Sequence, residues 1–225
     1  EANILIDKVE LRRADTGDYP FLTISDDSMA FNLMELRNGV TETLADTALR
    51  AGTYDLVRLY IAVASIKLKN GDEYDLKVPS GAQSGLKIFI NPAIEIEADR
   101  TKELILDFDV SRSFIARGNL NSPAGVNGFI FKPVLRAVNE SIAGQIEGLV
   151  TDTASSPIAD ANVWIEQDSV ITNTFTEDDG AYKLIGIPEG TYKIGAHKSG
   201  YDTTWIENVE VMAGEVTNED IVLKK

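Results

Sequence analysis

The sequence contains no cysteine and only one histidine, His197. Without cysteine there is no disulfide framework and no thiolate nucleophile. A single histidine is too few for the usual ligand set of a zinc peptidase, and it argues against a Ser-His-Asp triad. We interpret His197 as a solvated side chain on the outward face of its strand. These absences favour a protein without enzymatic activity and without a cofactor.

Positive charge is also scarce. The chain of 225 residues has a formal net charge of −15 and an isoelectric point near 4.4. Nucleic acid and anionic membrane surfaces bind clustered Lys and Arg, so neither is an expected partner. No apolar run approaches the ~18 residues of a membrane helix, so we expect no transmembrane segment in this chain.

The pattern that is present is that of β-strands. Apolar residues recur with period two or in short runs, each bounded by Gly, Pro, Asn or Asp. In the first part of the chain this predicts strands over residues 4–11, 54–68, 74–78, 86–90, 94–97, 104–110 and 129–138. Residues 28–37 differ, because their apolar side chains have helical spacing, and we predict one short helix that stops at Gly39.

Two local signals refine this prediction. In the longest strand, Val57, Leu59, Ile61 and Val63 are expected to share one face. Asn70-Gly71 after it is typical of a tight hairpin turn.

A domain boundary is expected near residues 139–143, where the charge density changes. Residues 1–141 hold 16 Lys and Arg against 21 Asp and Glu, whereas residues 142–225 hold 5 against 15. Strand patterns follow at a spacing typical of a sandwich, at residues 145–151, 161–166, 172–176, 181–187, 191–197, 205–212 and 220–223. The predicted fold class is all-β, with two β-sandwich domains in tandem, 1–141 and 142–225, the second seven-stranded.

The two parts share a short text, Gly-Thr-Tyr, at residues 52–54 and 190–192. We predict that Gly52 and Gly190 both adopt a positive φ in a tight turn. Tyr54 and Tyr192 would then seat the following strands on their cores. The shared text indicates a structural device and no chemistry.

The second part resembles the carboxypeptidase regulatory-like domain, a transthyretin-like sandwich. The segments that carry this resemblance are Gly148-Leu149-Val150-Thr151-Asp152, Pro157-Ile158, Ala161-Asn162-Val163, Thr176-Glu177-Asp178-Asp179-Gly180-Ala181-Tyr182, Gly190-Thr191-Tyr192 and Gly200-Tyr201. The first part resembles domain-of-unknown-function family 4382. Its matching segments are Ala51-Gly52-Thr53-Tyr54 with Arg58-Leu59, the loop Val78-Pro79-Ser80-Gly81-Ala82-Gln83-Ser84-Gly85-Leu86-Lys87-Ile88, and Leu106-Asp107-Phe108-Asp109.

The resemblance implies a bacterial cell-envelope lipoprotein, exported to the periplasm or outer surface, with two non-catalytic domains. We expect an export signal or lipid anchor, and one strand of the first family, to precede this sequence. The regulatory-like fold is grouped with carbohydrate-binding-like sandwiches, which implies a glycan or a surface protein as the partner.

Asp107 and Asp109 form the sharpest carboxylate pair in the sequence. At i and i+2 of a strand they would share a face, about 6.6–6.8 Å apart. A glycosidase pair and a calcium site are two interpretations of this spacing. A solvated or cation-paired strand face is the interpretation we favour.

The loop over residues 79–87 is the candidate ligand loop of the first domain, through Ser80, Gln83, Ser84 and Lys87. It lacks the Gly-Lys-Ser/Thr text of a phosphate-binding loop, and a strand rather than a helix is expected after it. In the second domain, the acidic run over residues 177–180 is interpreted as a hairpin turn rather than a calcium loop.

Both tryptophans, Trp164 and Trp205, lie in the second part and are its candidate ligand-binding residues. Period two places Trp164 on the outer face of its strand with Asn162 and Glu166. An outward indole is either a ligand platform, for a glycan, or part of an interface with the first domain, which we favour. The predicted function is a non-catalytic structural or binding module, contacting glycans or acting as an adhesin-like spacer. A carboxylate-based carbohydrate-processing or metal-dependent enzyme is the alternative.

Overall fold

The computed structural model of the chain describes residues 1–14, 21–78, 84–119 and 125–225. The chain forms two compact units. The first unit comprises Glu1–Leu36, Glu42–Lys102 and Leu106–Ala137, and the second comprises Arg37–Thr41, Glu103–Ile105 and Val138–Lys225. The boundary that the sequence suggests near residues 139–143 stays a prediction.

Up to residue 139, the regular structure of the described chain is β-strand apart from one short helix, and a long irregular segment spans residues 33–51. Its elements are β1 (Ala2–Arg13), β2 (Phe21–Ser25), β3 (Met29–Asn32), β4 (Gly52–Lys67), β5 (Glu73–Leu76), β6 (Leu86–Ile96), β7 (Leu104–Phe108), α1 (Val110–Ser113), β8 (Phe114–Asn119), β9 (Gly125–Phe131) and β10 (Leu135–Asn139). Eight of these strands form one sheet in the order β2-β1-β4-β6-β10-β7, with β3 also on β1 and β5 also on β4. The hairpin β8–β9 forms a second sheet.

The helix predicted over residues 28–37 is wrong. Met29–Asn32 forms strand β3 and pairs with β1, with Phe31 opposite Ile4. Phe31 and Leu33 are both buried, so the inward side chains follow a period of two rather than a helical period. The one short helix predicted for the first domain lies instead at Val110–Ser113.

Strand β4 is the centre of this sheet, and irregular pairing changes its face assignments. Val57, Leu59 and Ile61 are buried as predicted, but Val63 is 48% exposed and Ala64 is buried in its place. The pairing with β1 shifts register near Ile61, and such a shift moves every later side chain to the opposite face.

Other predicted strand ends also differ. Residues 86–90 and 94–97 belong to one strand, β6, and the predicted strand over residues 129–138 is divided between β9 and β10. The Asn70-Gly71 hairpin is confirmed, because Gly71 N donates to Leu68 O at 3.0 Å and β4 pairs with β5 around the turn.

The second unit is a pair of four-stranded sheets, preceded by a 3₁₀ turn at Glu140–Ile142. Its strands, in a part of the chain described throughout, are β11 (Ala143–Asp152), β12 (Asn162–Glu166), β13 (Val170–Phe175), β14 (Ala181–Pro188), β15 (Gly190–His197), β16 (Thr204–Val211), β17 (Val216–Asn218) and β18 (Ile221–Leu223). One sheet has the order β14-β11-β17, with β18 also on β11, and the other has the order β13-β12-β15-β16. All seven predicted strands are present, and β17 is additional.

The second unit closes on a continuous apolar core. Strand β12 shows the period of two, because Val163 and Ile165 are fully buried while Asn162, Trp164 and Glu166 are only half-buried. The core draws on both sheets, including Ile146 and Leu184 from one and Ile194 and Val209 from the other. Burial of this apolar surface is the main stabilising term for such a sandwich.

The tyrosine of the Gly-Thr-Tyr sequence makes the same type of hydrogen bond in both units. Tyr54 Oη donates to Arg50 O at 3.0 Å, and Tyr192 Oη donates to Pro188 O at 2.7 Å. Both rings are buried, so each tyrosine seats its strand on the core as predicted. A buried tyrosine bonded to the backbone a few residues upstream is a known corner motif of β-sandwiches.

The two glycines in this text differ. Gly52 has a φ of +152°, a conformation that favours glycine. The same prediction is wrong for Gly190, which lies outside the positive-φ region. There a Cβ would lie 3.2 Å from Tyr192 Oη, so the small residue leaves room for the tyrosine ring.

The segment Arg37–Thr41 belongs to the second unit through Asn38. The Asn38 Nδ2 amide donates to Phe175 O at 2.8 Å, and its Oδ1 accepts from Thr174 Oγ1 at 2.8 Å and from Lys183 N at 3.2 Å. Phe175 lies on β13 and Lys183 on β14, which are end strands of the two sheets. One asparagine thus joins both sheets of the sandwich at this side.

Across the described residues, no helix has the length and apolar character needed to span a membrane.

Candidate binding face of the second unit

Trp164 and Trp205 lie in one row across three neighbouring strands. In the pairing of β12 with β15, Trp164 is opposite Gly195, and in the pairing of β15 with β16, Gly195 is opposite Trp205. The neighbours of Trp164 along β12 point into the core, so its indole stands on the outer face, as predicted. The pairing brings the two candidate residues together.

Gly195 is what allows the indoles to meet. Their ring centroids are 5.0 Å apart and their planes are at 88°, an edge-to-face arrangement that aromatic pairs favour. A Cβ on residue 195 would overlap Trp164 and lie 2.7 Å from Trp205 Cζ3. From the sequence we expect a ligand or the first domain to cover Trp164, and the contact between Trp164 and Trp205 is not predicted. Strand register is the signal that would have found this partner.

Charged side chains surround the pair. Lys193 Nζ lies 4.1 Å from the ring centroid of Trp205 and 3.0 Å from Glu207 Oε1. Trp164 Nε1 donates to Glu166 Oε2 at 3.3 Å. We call Trp164, Glu166, Lys193, Gly195, Trp205 and Glu207 the tryptophan face. Trp205 is 39% exposed, so solvent reaches this face.

His197 ends β15 on the same outer side and is exposed, which agrees with its interpretation as a solvated residue. The acidic run after β13 is a turn, as expected. Gly180 N donates to Glu177 O at 2.9 Å, and Gly180 has a φ of +80°. Asp179 Oδ1 accepts from Ala181 N at 3.0 Å, so this carboxylate is part of the turn.

The aspartate pair is placed differently from the prediction. Strand β7 ends at Phe108, so Asp107 and Asp109 do not share a strand face. Asp107 Oδ2 accepts from Arg136 Nε at 2.7 Å. Asp109 is the N-cap of α1, and the pair therefore divides between an ion pair and a helix cap.

Of the two aspartates, Asp109 is the more buried. Its Oδ1 accepts from Ser111 Oγ at 2.7 Å and from Arg112 N at 2.9 Å, and its Oδ2 accepts from Arg112 Nε. Burial by itself raises the pKa of Asp109, but these hydrogen bonds and the Arg112 charge outweigh burial and hold the pKa below its ordinary value. A carboxyl in this setting stays ionised and serves the fold.

The candidate loop of the first domain is only partly described. Ser80 and Gln83 lie outside the described residues. Ser84 and Lys87 are exposed, and Lys87 lies near the start of β6, opposite Arg58 of β4. A strand therefore follows the loop, as expected. Ser80, Gln83, Ser84 and Lys87 remain predictions as ligand residues.

The outer face of the first unit's sheet carries a network that sequence reasoning missed. Glu10 accepts from Lys8 Nζ at 2.9 Å, from Tyr60 Oη at 3.1 Å and from Arg58 Nη1 at 3.2 Å. Burial raises the pKa of Glu10, but the hydrogen bonds from Lys8 and Tyr60 outweigh burial and lower the pKa overall. Arg58 also lies over the ring of Phe21, 3.5 Å from its centroid.

A separate bidentate ion pair joins β1 to β4 in the same sheet. Arg12 Nε and Nη2 both donate to the Asp55 carboxylate at 2.7 Å. Hydrogen bonding to Arg12 lowers the pKa of Asp55. Among the described residues, no group of three or more His, Cys, Asp or Glu side chains is arranged to hold a metal ion. Glu10 and Asp55 are thus each joined to cationic side chains of the same sheet.

The geometry defines a class of protein, a chain of β-sandwich units with a tryptophan pair on one outer sheet face. The chain belongs to the family described as a domain of unknown function, DUF4382, which matches residues 1–133. Residues 145–224 match the carboxypeptidase regulatory-like domain. Both resemblances found in the sequence are confirmed. No curated protein matches the sequence significantly.

Similar solved structures come from bacterial proteins. A type II cohesin–X-dockerin complex from Acetivibrio cellulolyticus is 21% identical, with 36% of this chain and 56% of that chain covered and a TM-score of 0.30. The minor pilin of Streptococcus agalactiae is 13% identical, with 100% and 84% covered and a TM-score of 0.29. A shaft pilin of Lactobacillus rhamnosus GG is 11% identical, with 100% and 85% covered and a TM-score of 0.31. The chain spans about half of the cohesin-complex chain, at 56%.

Proposed function

We propose that the chain is a non-catalytic structural and binding module of a bacterial cell-surface protein, an adhesin-like spacer that contacts a partner through the tryptophan face. The observation that carries the non-catalytic part is the state of the aspartate pair. Asp107 is joined to Arg136, and Asp109 caps α1 and is joined to Arg112. A catalytic acid needs a carboxyl with a raised pKa, whereas the pKa of Asp109 is lowered.

The family matches support the same class. The regulatory-like match covers residues 145–224 and includes both tryptophans. Export to the periplasm or outer surface, and a lipid anchor, are part of the proposal and rest on the family resemblance. The partner would be a surface protein or a glycan, and the geometry of the tryptophan face bears on that choice.

A glycan chain stacks best on a flat aromatic strip. The Trp164 and Trp205 planes stand at 88°, so the pair does not present one flat surface. Lys193 also lies over one face of the Trp205 ring. These two observations favour a protein partner over a glycan.

A substrate panel tests the non-catalytic claim. The purified chain is incubated with peptide, ester and glycoside substrates, with added calcium and with a chelator in parallel. We expect no turnover in any arm. Turnover that disappears in Asp107→Asn or Asp109→Asn, while circular dichroism shows an intact fold, would overturn the proposal in favour of a carboxylate-based or metal-dependent enzyme.

A further inference from the structure

The tryptophan face already holds a cation. Lys193 Nζ lies between the Trp205 ring, at 4.1 Å from its centroid, and Glu207 Oε1, at 3.0 Å. An ammonium group over an indole with a carboxylate beside it is attracted by both the ring quadrupole and the negative charge. The face therefore has the groups needed to bind an alkylammonium or guanidinium group.

The Lys193 side chain is partly exposed to solvent in this position. The side chains of Lys193 and Glu207 are 34% and 62% exposed. An exposed ion pair of this kind contributes little to stability, because both partners are solvated when apart. Lys193 can therefore leave the indole for water at small cost, and another cation can take its position.

The charge of the second unit selects the sign of the partner. Residues 142–225 contain five lysines, no arginine and 15 Asp and Glu residues. On the other sheet, Lys183 is paired with Glu147 at 3.5 Å. A surface with this imbalance attracts basic partners and repels acidic ones.

We propose that the tryptophan face binds a lysine or arginine side chain presented by a basic polypeptide partner. The incoming cation replaces Lys193 over the Trp205 ring and pairs with Glu207. Glu166, which accepts from Trp164 Nε1, adds a second negative charge beside the indoles. This inference rests on the proposed function, because it takes the second unit as a binding module.

The direct test is calorimetric titration of the full chain with a tetralysine peptide at about 0.1 M salt, where charges more than about 10 Å apart are largely screened. Tetraglutamate and a neutral oligosaccharide serve as comparison ligands. We expect tetralysine to bind and tetraglutamate not to bind. Trp205→Leu and Glu207→Gln should each weaken binding by about 3- to 10-fold. Lys193→Met should strengthen it, because the internal competitor is lost while the aliphatic stem remains.

Two matched controls separate a site from general attraction. Asp178→Asn removes one charge from the exposed turn between β13 and β14, and Phe89→Leu removes a ring that is 64% exposed in the first unit. Neither should change tetralysine binding by more than about 1.5-fold, since exposed charges at a distance are screened. Circular dichroism of every variant checks the fold.

The outcomes that overturn the inference are distinct. The inference fails if tetralysine does not bind, or if Trp205→Leu leaves its binding unchanged. It also fails if Asp178→Asn weakens tetralysine binding as much as Glu207→Gln does, or if the oligosaccharide binds in a way that depends on Trp205. Each of these leaves the non-catalytic proposal standing. Turnover in the substrate panel would instead overturn the proposed function.

Discussion

The two units use polar side chains in different ways. The first unit joins charged groups on its sheet and at α1, through Glu10, Asp55, Asp107 and Asp109. The second unit relies on a two-sheet apolar core and on neutral hydrogen bonds such as those of Asn38. The net charge of a unit therefore does not show whether its charged side chains stabilise the fold. In the more acidic unit, the carboxylate of each described ion pair is at least 42% exposed, so these pairs contribute little to stability.

The two tryptophans make this comparison measurable. Both lie in the second unit, so intrinsic tryptophan fluorescence reports its unfolding. Hydrogen exchange of β4, with its fully buried Leu59 and Ile61, reports the first unit. Fluorescence and β4 exchange therefore report the stabilities of the two units separately.

The largest effect is expected from Asn38→Ala. The change leaves Phe175 O and Lys183 N without their side-chain partner and should destabilise the second unit by about 2–3 kcal/mol. Urea unfolding followed by tryptophan fluorescence measures this. Asn70→Ala, in the exposed hairpin of the first unit, is the control and should leave the fluorescence transition unchanged. If Asn38→Ala behaves like this control, Asn38 does not hold the sandwich.

Asp109→Ala should destabilise the first unit by about 2 kcal/mol, because the N-cap of α1 and the partner of Arg112 are lost together. Asp107→Asn removes only the charge of a side chain that is 26% exposed, and it should cost at most about 1 kcal/mol. Hydrogen exchange of β4 measures both changes. An Asp107→Asn effect larger than that of Asp109→Ala would reverse the roles we assign.

Tyr54→Phe and Tyr192→Phe test the corner that the units share. Each change removes one buried hydroxyl bond to the backbone and should cost about 1–1.5 kcal/mol in its own unit. Tryptophan fluorescence should detect only Tyr192→Phe, and β4 exchange only Tyr54→Phe. Identical responses in both signals would show that the units unfold together.

The smallest effect is a difference in acid sensitivity. The pKa values of Glu10, Asp55 and Asp109 are lowered in the folded first unit. Their stabilisation is therefore present above the ordinary carboxyl pKa, near 4, and is lost as the pH falls through the lowered values. In the second unit, a hydrogen bond with Glu103 raises the pKa of Glu140, which has the opposite sign and favours folding at low pH.

Unfolding at pH 6 and pH 3 checks this difference. Between these conditions the β4 exchange signal should lose more protection than the fluorescence midpoint loses stability. Equal losses would mean that the lowered carboxyl pKa values of the first unit contribute nothing specific.

The sequence predicts the strands of the second unit well because its inward residues alternate regularly. It fails where pairing decides the outcome. The helical spacing at residues 28–37 is overridden by pairing of β3 with β1, and the bulge near Ile61 exposes Val63. No local signal in the sequence fixes the register of strands that are distant along the chain.

The candidate site, like the fold, can be predicted from the sequence only where strand pairing does not decide the outcome. The outward position of Trp164 follows from period two along β12. Its contact with Trp205 depends on Gly195 standing between them in the sheet, which only the register reveals. Likewise, Asp107 and Asp109 look equivalent in the sequence, and the end of β7 between them gives them separate roles.

The most direct measurement of the central claim is a carbon-13 NMR titration of the Asp109 and Glu10 carboxyl groups in the folded chain. If these groups serve the fold and not catalysis, both should titrate below the ordinary range, because their hydrogen bonds favour the charged form. Asp109→Ala and Glu10→Gln assign the two resonances. A pKa for either group above the ordinary carboxyl value would contradict the account, since a carboxyl held protonated near neutral pH is the mark of a catalytic acid.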